Sequence, residues 1–119
     1  MKKAAIIGGS MSGLFAANFL KQINWDYSIH EMVPEPLSGR GAGIATYDEL
    51  AELVKLTTGY KQSLGTTCDE RIVLNKKNSV VTKMKYPQVF TSWQYLYDVL
   101  LSNIDLSLIH ISEPTRQNQ

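Results

Sequence analysis

The sequence has few of the residues that build cross-linked or metal-dependent folds. Among its 119 residues there are one cysteine, Cys68, and two histidines, His30 and His110. One cysteine excludes an intrachain disulfide framework and a multi-cysteine zinc site, and two histidines are too few for a histidine-rich metal site. We therefore expect no bound metal and, because the thiol is unpaired, a reducing cytoplasmic location.

Neither an excess of one charge sign nor a long hydrophobic run is present. Lysine and arginine number 12 and aspartate and glutamate 11, so the formal net charge is +1. This balance gives no electrostatic reason to expect nucleic acid or an anionic membrane as a partner. The apolar run at residues 4–7 ends at Gly8, too early for a secretory signal or a membrane span. Hydrophobic residues still make up 44% of the chain, which predicts one ordinary globular domain.

The first third of the chain alternates between strand and helix patterns. Residues 4–7 form the continuous apolar run of a strand that is buried on both faces. Over residues 12–23 apolar side chains recur every three or four positions, which predicts a buried helix. Residues 27–32 return to an extended pattern before Pro34 and Pro36 end it. This order predicts a βαβ unit with parallel strands and a Rossmann-like α/β fold.

Two further helices are predicted beyond the second strand. Thr46 and Glu49 have the spacing of a capping box, and Gly59 is placed to end the helix that follows. Thr91 and Gln94 have the same spacing and predict the start of a second helix that reaches about residue 101.

An antiparallel hairpin is predicted between these helices. Residues 71–74 and 80–84 have strand composition and flank the polar turn at residues 75–78. Because proline lacks a backbone N–H, Tyr86-Pro87 is expected to end the second strand.

The turn after the first strand carries a glycine-rich motif. Residues 8–13, GGSMSG, nearly match G-x-G-x-x-G, with Ser10 in place of the second glycine. Gly8 permits a tight turn, a small residue at Ser10 lets backbone N–H groups approach a pyrophosphate, and Gly13 lets the helix pack closely. A pyrophosphate there would lie at the positive end of the helix dipole. Such turns also serve as plain connections, but the position between a strand and a helix favours a dinucleotide site.

An acidic residue closes the second strand. Glu31 follows Gly8 by 23 residues, where a dinucleotide site needs a carboxylate to accept hydrogen bonds from ribose hydroxyls. A carboxylate at this position would repel a 2′-phosphate, so the sequence favours FAD or NAD over NADP.

Three segments resemble one flavoprotein family. KKAAIIGGSMSGLFAANFL at residues 2–20, IHE at residues 29–31 and LSGRGAGI at residues 37–44 resemble the amino-terminal part of FAD-dependent aromatic-ring hydroxylases of the para-hydroxybenzoate hydroxylase type. The resemblance extends from Met1 to about Asp105. SWQYLY at residues 92–97 is most similar to the branch that contains the dihydroxypyridine hydroxylases.

The resemblance implies a flavoprotein monooxygenase. Its members use FAD, NAD(P)H and O2 to hydroxylate a small aromatic or heteroaromatic substrate, so FAD is the expected cofactor and NAD(P)H the expected co-substrate. The hairpin resembles the start of the sheet on the substrate side of such enzymes. Pyrophosphate, ribose and flavin contacts are implied at Gly8, Ser10, Met11, Ser12, Gly13, Glu31, Arg40, Gly41, Ala42, Gly43 and Ile44.

The chain departs from the family pattern at two positions. Trp93 stands where many relatives carry an arginine that contacts the phosphates, and Gly41 stands where some relatives carry an arginine that takes part in flavin movement. Arg40 can therefore be a ribose or flavin contact or an exposed loop cation. Trp93, Tyr95 and Tyr97 are expected to pack within the fold as helix residues rather than to form a stacking platform, with an adenine contact as the alternative for Trp93.

The last residues differ from the rest of the family pattern. Residues 106–116, LSLIHISEPTR, coincide with the in-frame translation of a transposase adapter used in sequencing libraries. We therefore expect residues 1–105 to be the amino-terminal part of a FAD-binding domain and residues 106–119 to be non-native. A natural strand over residues 106–111 is the alternative. On the first interpretation the catalytic residues lie beyond Asp105, and the chain by itself is inactive.

Two other functional classes stay open at this point. A pyridine-nucleotide-dependent reductase would share the βαβ unit without needing the GAGI segment, and a non-catalytic nucleotide-binding module would need this chain to be complete. The substrate, the choice between NADH and NADPH and the oligomeric state are not determined by the sequence.

Overall fold

The computed structural model describes residues 2–34 and 41–111 and has the predicted α/β architecture. The helices are α1 (Met11–Gln22), α2 (Asp48–Thr58) and α3 (Trp93–Ser102). The strands are β1 (Lys3–Ile7), β2 (Asp26–Glu31), β3 (Gly43–Ala45), β4 (Thr66–Leu74), β5 (Val80–Ser92) and β6 (Ile109–Ile111), and a 3-10 turn at Leu106–Leu108 precedes β6. None of the helices in these ranges is both long and apolar enough to cross a bilayer.

The first sheet contains the predicted βαβ unit. The prediction that β1 is buried on both faces is wrong, because only Ala4 and Ile6 are half-buried and Ala5 and Ile7 on the opposite face are exposed. Its strand order is β1-β2-β6, and both neighbouring pairs are parallel. Ile6 pairs with Ile29 across β1 and β2, and Ile29 pairs in turn with Ile109 of β6. The carboxyl ends of β1 and β2 therefore lie side by side, with the glycine motif following one and Glu31 closing the other.

The second sheet is antiparallel, with the order β3-β5-β4, and contains the predicted hairpin. Asn75 organises its turn, because its side-chain oxygen accepts hydrogen bonds from the N–H groups of Lys77 and Ser79. The prediction that Tyr86-Pro87 ends the strand is wrong, since β5 continues to Ser92. The register shifts at this point, with Cys68 opposite Gln88 but Glu70 opposite Lys85. Proline is tolerated at such an irregularity because its missing N–H interrupts the ladder least there.

Both predicted helix caps are displaced by one residue. The N-cap of α2 is Tyr47, and Thr46 instead donates its N–H and its hydroxyl to the carbonyl of Val89 on β5, each at 2.8 Å. The N-cap of α3 is Ser92, whose hydroxyl accepts from the N–H of Tyr95 at 3.1 Å. At the other end of α2, Gly59 adopts φ 77° and ends the helix as predicted.

The core lies between the parallel sheet and the three helices. It contains fully buried apolar side chains from every one of these layers, among them Leu14, Ala17, Ile29, Val54 and Leu100. Asn18 is also fully buried. Its amide nitrogen donates to the carbonyls of Leu14 and Leu100, at 2.8 and 3.1 Å, and its oxygen accepts from Asn103 at 2.7 Å. Asn18 thereby joins α1 to the end of α3.

Replacing Asn18 with alanine is expected to lower the free energy of unfolding by about 1–3 kcal/mol, because the change leaves the Leu100 carbonyl and the Asn103 amide without this partner. Urea denaturation of the full chain measures the loss. The control is Gln22→Ala at an exposed position of the same helix, with an expected change within about 0.5 kcal/mol. Equal midpoints for the two variants would show that this polar network does not stabilise the helix pair.

Candidate functional site

The glycine turn is shaped by two backbone constraints. Gly8 has φ 107°, a conformation that side chains disfavour, and its N–H donates to the carbonyl of His30 at 2.8 Å. A Cβ placed on Gly13 would overlap the carbonyl oxygen of Gly8 and lie 3.3 Å from Cγ2 of Ile6. The turn and the first helical turn therefore touch backbone to backbone, as a tight strand-to-helix connection requires.

The N-terminus of α1 has no side-chain cap. Ser10 is the N-cap, its side chain makes no capping hydrogen bond, and the first turn of the helix contains no acidic residue. The first N–H groups of a helix have no partners within the helix and carry partial positive charge. In α2, by contrast, Asp48 and Glu49 occupy the first turn. The N-terminus of α1 thus offers donors that suit an anion.

Glu31 connects β2 to the glycine turn. One carboxylate oxygen accepts from the N–H of Gly9 at 2.8 Å, and the other accepts from the N–H of Val33 at 2.8 Å. A Cβ on Gly9 would lie 3.2 Å from Cβ of Glu31. The carboxylate predicted to contact ribose is therefore held directly beside the turn predicted to contact pyrophosphate.

The segment before β3 is anchored to the start of α3. The N–H of Trp93 donates to the carbonyl of Ala42 at 2.8 Å, Gly43 pairs with Ser92, and Ile44 pairs with Thr91. Gly41 and Gly43 are exposed, and a Cβ on either would have no atom of the described residues, other than its chain neighbours, within 4 Å. Contacts within residues 2–34 and 41–111 therefore do not explain why glycine stands at these two positions. Arg40 lies outside the described residues.

A small cavity of about 190 Å³ opens between Glu31 and α3. It is mainly apolar and is lined by Gly9, Glu31, Val33, Pro34, Tyr97, Leu101, Leu106, Ile109 and Ile111. Sites that hold a whole drug-sized ligand occupy about 300–1,000 Å³, so this cavity is too small for one. Three of its lining residues, Leu106, Ile109 and Ile111, belong to the segment predicted to be non-native. A larger groove of about 470 Å³ lies between the start of α2 and β5, and its lining contains none of the predicted site residues.

Tyr97 is the site residue that sequence reasoning did not assign. It is buried, lines the cavity and stacks on Trp93, with ring centroids 4.9 Å apart and planes inclined by 14°. The predicted packing is present for Trp93 and Tyr97 but is wrong for Tyr95, which is 40% exposed. The signal available in the sequence was the spacing of four residues, which places both rings on one helix face.

Two of the shifted pKa values, those of Tyr27 and Asp105, have structural causes outside the glycine turn. Burial raises the pKa of Tyr27 above its ordinary value, and the charge of Asp105 adds to the shift. Hydrogen bonds from the side chain and then the backbone N–H of Ser107 lower the pKa of Asp105. These two groups belong to the junction between β2 and the 3-10 turn.

The α/β fold described here matches the fold of known FAD-dependent hydroxylases. The curated 2,6-dihydroxypyridine 3-monooxygenase of Paenarthrobacter nicotinovorans is 46% identical over 48 residues, which are 40% of this chain and 12% of that protein. The structure of 2,6-dihydroxypyridine-3-hydroxylase from Arthrobacter nicotinovorans matches 93% of this chain with a TM-score of 0.82 and 29% identity. The resemblance inferred from the sequence is thereby confirmed.

More distant structures share the fold. HpxO from Klebsiella pneumoniae, solved with FAD and uric acid, matches with a TM-score of 0.71 at 19% identity and covers 92% of this chain. A 2-methyl-3-hydroxypyridine-5-carboxylic acid oxygenase matches with a TM-score of 0.69 at 25% identity and covers 95%. No family model matches the chain. The chain spans only 28–31% of these three solved proteins.

Proposed function

We propose that the chain is the amino-terminal part of a FAD-dependent monooxygenase that hydroxylates a small aromatic or heteroaromatic substrate with NAD(P)H and O2. The observation that carries the proposal is the run of small residues before β3, where Gly41 and Gly43 have no neighbour among the described residues that requires glycine. Backbone that must lie close to a flat ligand ring accounts for such residues. The two dihydroxypyridine hydroxylases described above support the substrate class.

Each part of the cofactor has a set of residues suited to it. Backbone N–H groups of Ser10, Met11, Ser12 and Gly13 would hold the pyrophosphate, since the helix start offers uncapped donors. Glu31 would accept hydrogen bonds from the adenosine ribose, and the loop at residues 41–44 would lie against the flavin. Bound FAD would supply the electron transfer and oxygen chemistry, while the protein binds, orients and excludes water.

Trp93 would change how the phosphates are bound. It stands where many of the resembled enzymes carry an arginine, and it stacks on Tyr97 instead of offering a charge. Arg40 is the nearest cation in the sequence to the proposed flavin loop. The proposal therefore assigns most of the pyrophosphate binding to backbone donors and leaves Arg40 as a ribose or flavin contact or a loop cation.

The parent enzyme would be longer than this chain. Because the matched proteins are about three times as long, we place the catalytic residues and most of the substrate pocket beyond Asp105 and expect no hydroxylation by the chain alone. A cytoplasmic location is part of the proposal and is supported by the free thiol of Cys68.

Residues 106–119 would then be foreign to the parent enzyme. The proposal is supported by the eleven residues that coincide with the adapter translation. The short strand β6 does not decide the question, because apolar residues alternating at Ile109 and Ile111 can pair with β2 whatever their origin. Sequencing the gene from intact genomic DNA tests this point. We expect the reading frame to diverge after Asp105, and a natural continuation into LSLIHIS would contradict it.

FAD titration of the full chain tests the cofactor assignment. Gly43→Val is expected to leave the free energy of unfolding within about 0.5 kcal/mol, because its Cβ meets no protein atom. The same change should weaken FAD binding about tenfold or more and leave ADP binding unchanged, since ADP lacks the flavin. Ala45→Val is the control at an exposed position two residues along β3.

The outcomes of this titration separate the candidate functions. Equal FAD affinity in Gly43→Val and the unaltered chain would show that the loop at residues 41–44 does not contact the flavin. Binding of NAD without FAD would favour the pyridine-nucleotide-dependent reductase, which shares the glycine turn and Glu31. Flavin fluorescence and isothermal calorimetry give the two affinities independently.

A further inference from the structure

Glu31 makes two hydrogen bonds with backbone N–H groups that a role in ribose binding alone does not explain. Its carboxylate joins Gly9, in the turn after β1, to Val33, two residues beyond Glu31 itself, and both N···O distances are 2.8 Å. Hydrogen bonds from backbone N–H to an ionised carboxylate are stronger than those between neutral groups. The side chain is half-buried, and its Cβ packs beside Gly9.

The position of Gly9 determines where the following N–H groups point. Gly9 lies between Gly8, whose φ is 107°, and Ser10, the N-cap of α1. Gly8 gives the turn backbone freedom, and the hydrogen bond from its N–H to the carbonyl of His30 restrains only the start of the turn. The bond from Gly9 to Glu31 supplies a further restraint from a neighbouring strand.

We propose that Glu31 is a positioning residue that holds the glycine turn in its anion-binding conformation before a nucleotide arrives, in addition to its proposed contact with ribose. A carboxylate has about four lone-pair sites, so hydrogen bonds to backbone donors and to ribose hydroxyls are compatible roles for one side chain. This inference rests on the proposed nucleotide site. It adds that pyrophosphate recognition depends on Glu31 even where no ribose hydroxyl is present.

Only glutamate fits this role at position 31. Glutamine presents one oxygen and one NH2 group, so one of the two backbone N–H groups would face another donor. Aspartate is one methylene shorter, so its carboxylate can still accept from the N–H two residues on but would lie further from the N–H of Gly9. Electrostatics alone predicts the opposite outcome for glutamine, because removing a negative charge near a pyrophosphate should strengthen anion binding.

The test compares ADP with 2′,3′-dideoxy-ADP, which lacks both ribose hydroxyls, by calorimetric titration of the full chain. Glu31→Gln is expected to weaken dideoxy-ADP binding about tenfold, as loss of one charge-assisted bond within the turn implies, and Glu31→Asp should weaken it too. Asp26→Asn removes a charge at the exposed start of the same strand and should leave both affinities unchanged. Unchanged or tighter dideoxy-ADP binding in Glu31→Gln would overturn the proposal.

Amide hydrogen exchange in the ligand-free chain provides a readout independent of nucleotide. The amide protons of Gly9 and Val33 should exchange at least about tenfold faster in Glu31→Gln, because each loses or weakens its acceptor. The amide of Ile29, buried in β2, should keep its rate and thereby exclude global unfolding as the cause. If the amides of Gly9 and Val33 exchanged at the same rates in Glu31→Gln as in the unaltered chain, the positioning role would be overturned. If the unaltered chain bound neither nucleotide, the proposed function would fail while the exchange rates still decided the role of Glu31.

Discussion

Replacing Gly13 with alanine is expected to abolish measurable nucleotide binding and to destabilise the chain. The added Cβ would overlap the carbonyl oxygen of Gly8 and lie 3.0 Å from its carbonyl carbon. Both atoms are backbone, so the clash cannot be relieved by rotating a side chain. Either the turn or α1 must shift, which costs about 1–3 kcal/mol and moves the N–H donors away from the pyrophosphate position.

Titration with ADP and urea denaturation measure these two effects. The matched control is Gly59→Ala at the end of α2, where φ is 77° and no protein atom lies within 4 Å of an added Cβ. Alanine in that conformation costs about 1–2 kcal/mol, but Gly59 lies outside the proposed site. Gly59→Ala should therefore lose stability and keep its ADP affinity. Normal ADP binding by Gly13→Ala would show that the turn is not the anion site.

Leu100→Ala is expected to have the largest effect on stability. The side chain is fully buried in the core beside the parallel sheet, and the carbonyl of the same residue accepts a hydrogen bond from Asn18. Truncating a buried leucine costs about 2–5 kcal/mol, which is a large share of the about 5–15 kcal/mol that stabilises an ordinary domain. Because α3 also carries Trp93 and Tyr97, a loosened α3 should disturb the cavity.

Urea or thermal denaturation of the full chain measures the loss. Leu56→Ala is the control, since Leu56 on α2 is 62% exposed, and its expected cost is within about 0.5 kcal/mol. If the two leucine variants unfolded at the same urea concentration, α3 would not be packed against the core as described.

The βαβ unit was predictable because its signals are local. The apolar run before Gly8, the helical spacing after Ser12 and the prolines after Met32 each constrain only a few neighbouring residues. The hairpin was predictable for the same reason, since its polar turn separates two short strands.

The cap positions and the length of β5 were not predictable from local signals. Thr46 has the residue type and spacing of a cap, but both its N–H and its hydroxyl donate to the carbonyl of Val89 on β5. Thr91 pairs with Ile44 in the antiparallel sheet, and the next residue, Ser92, caps α3. Pro87 remains within a strand because the register shift occurs beside it. Each outcome depends on a partner that is distant in sequence.

The features of the candidate site likewise fall into those that local sequence signals predicted and those that depend on tertiary contacts. By itself the sequence determined the glycine turn, the acidic end of β2 and the small-residue loop, because these depend on residue type and on spacing within one βαβ unit. Only the tertiary structure decided that Glu31 holds both Gly9 and Val33, that Gly13 touches Gly8 and that Tyr97 completes the cavity. Hydrogen bonds and cavities join separate elements, so their geometry exists only once β2, α1 and α3 have packed together.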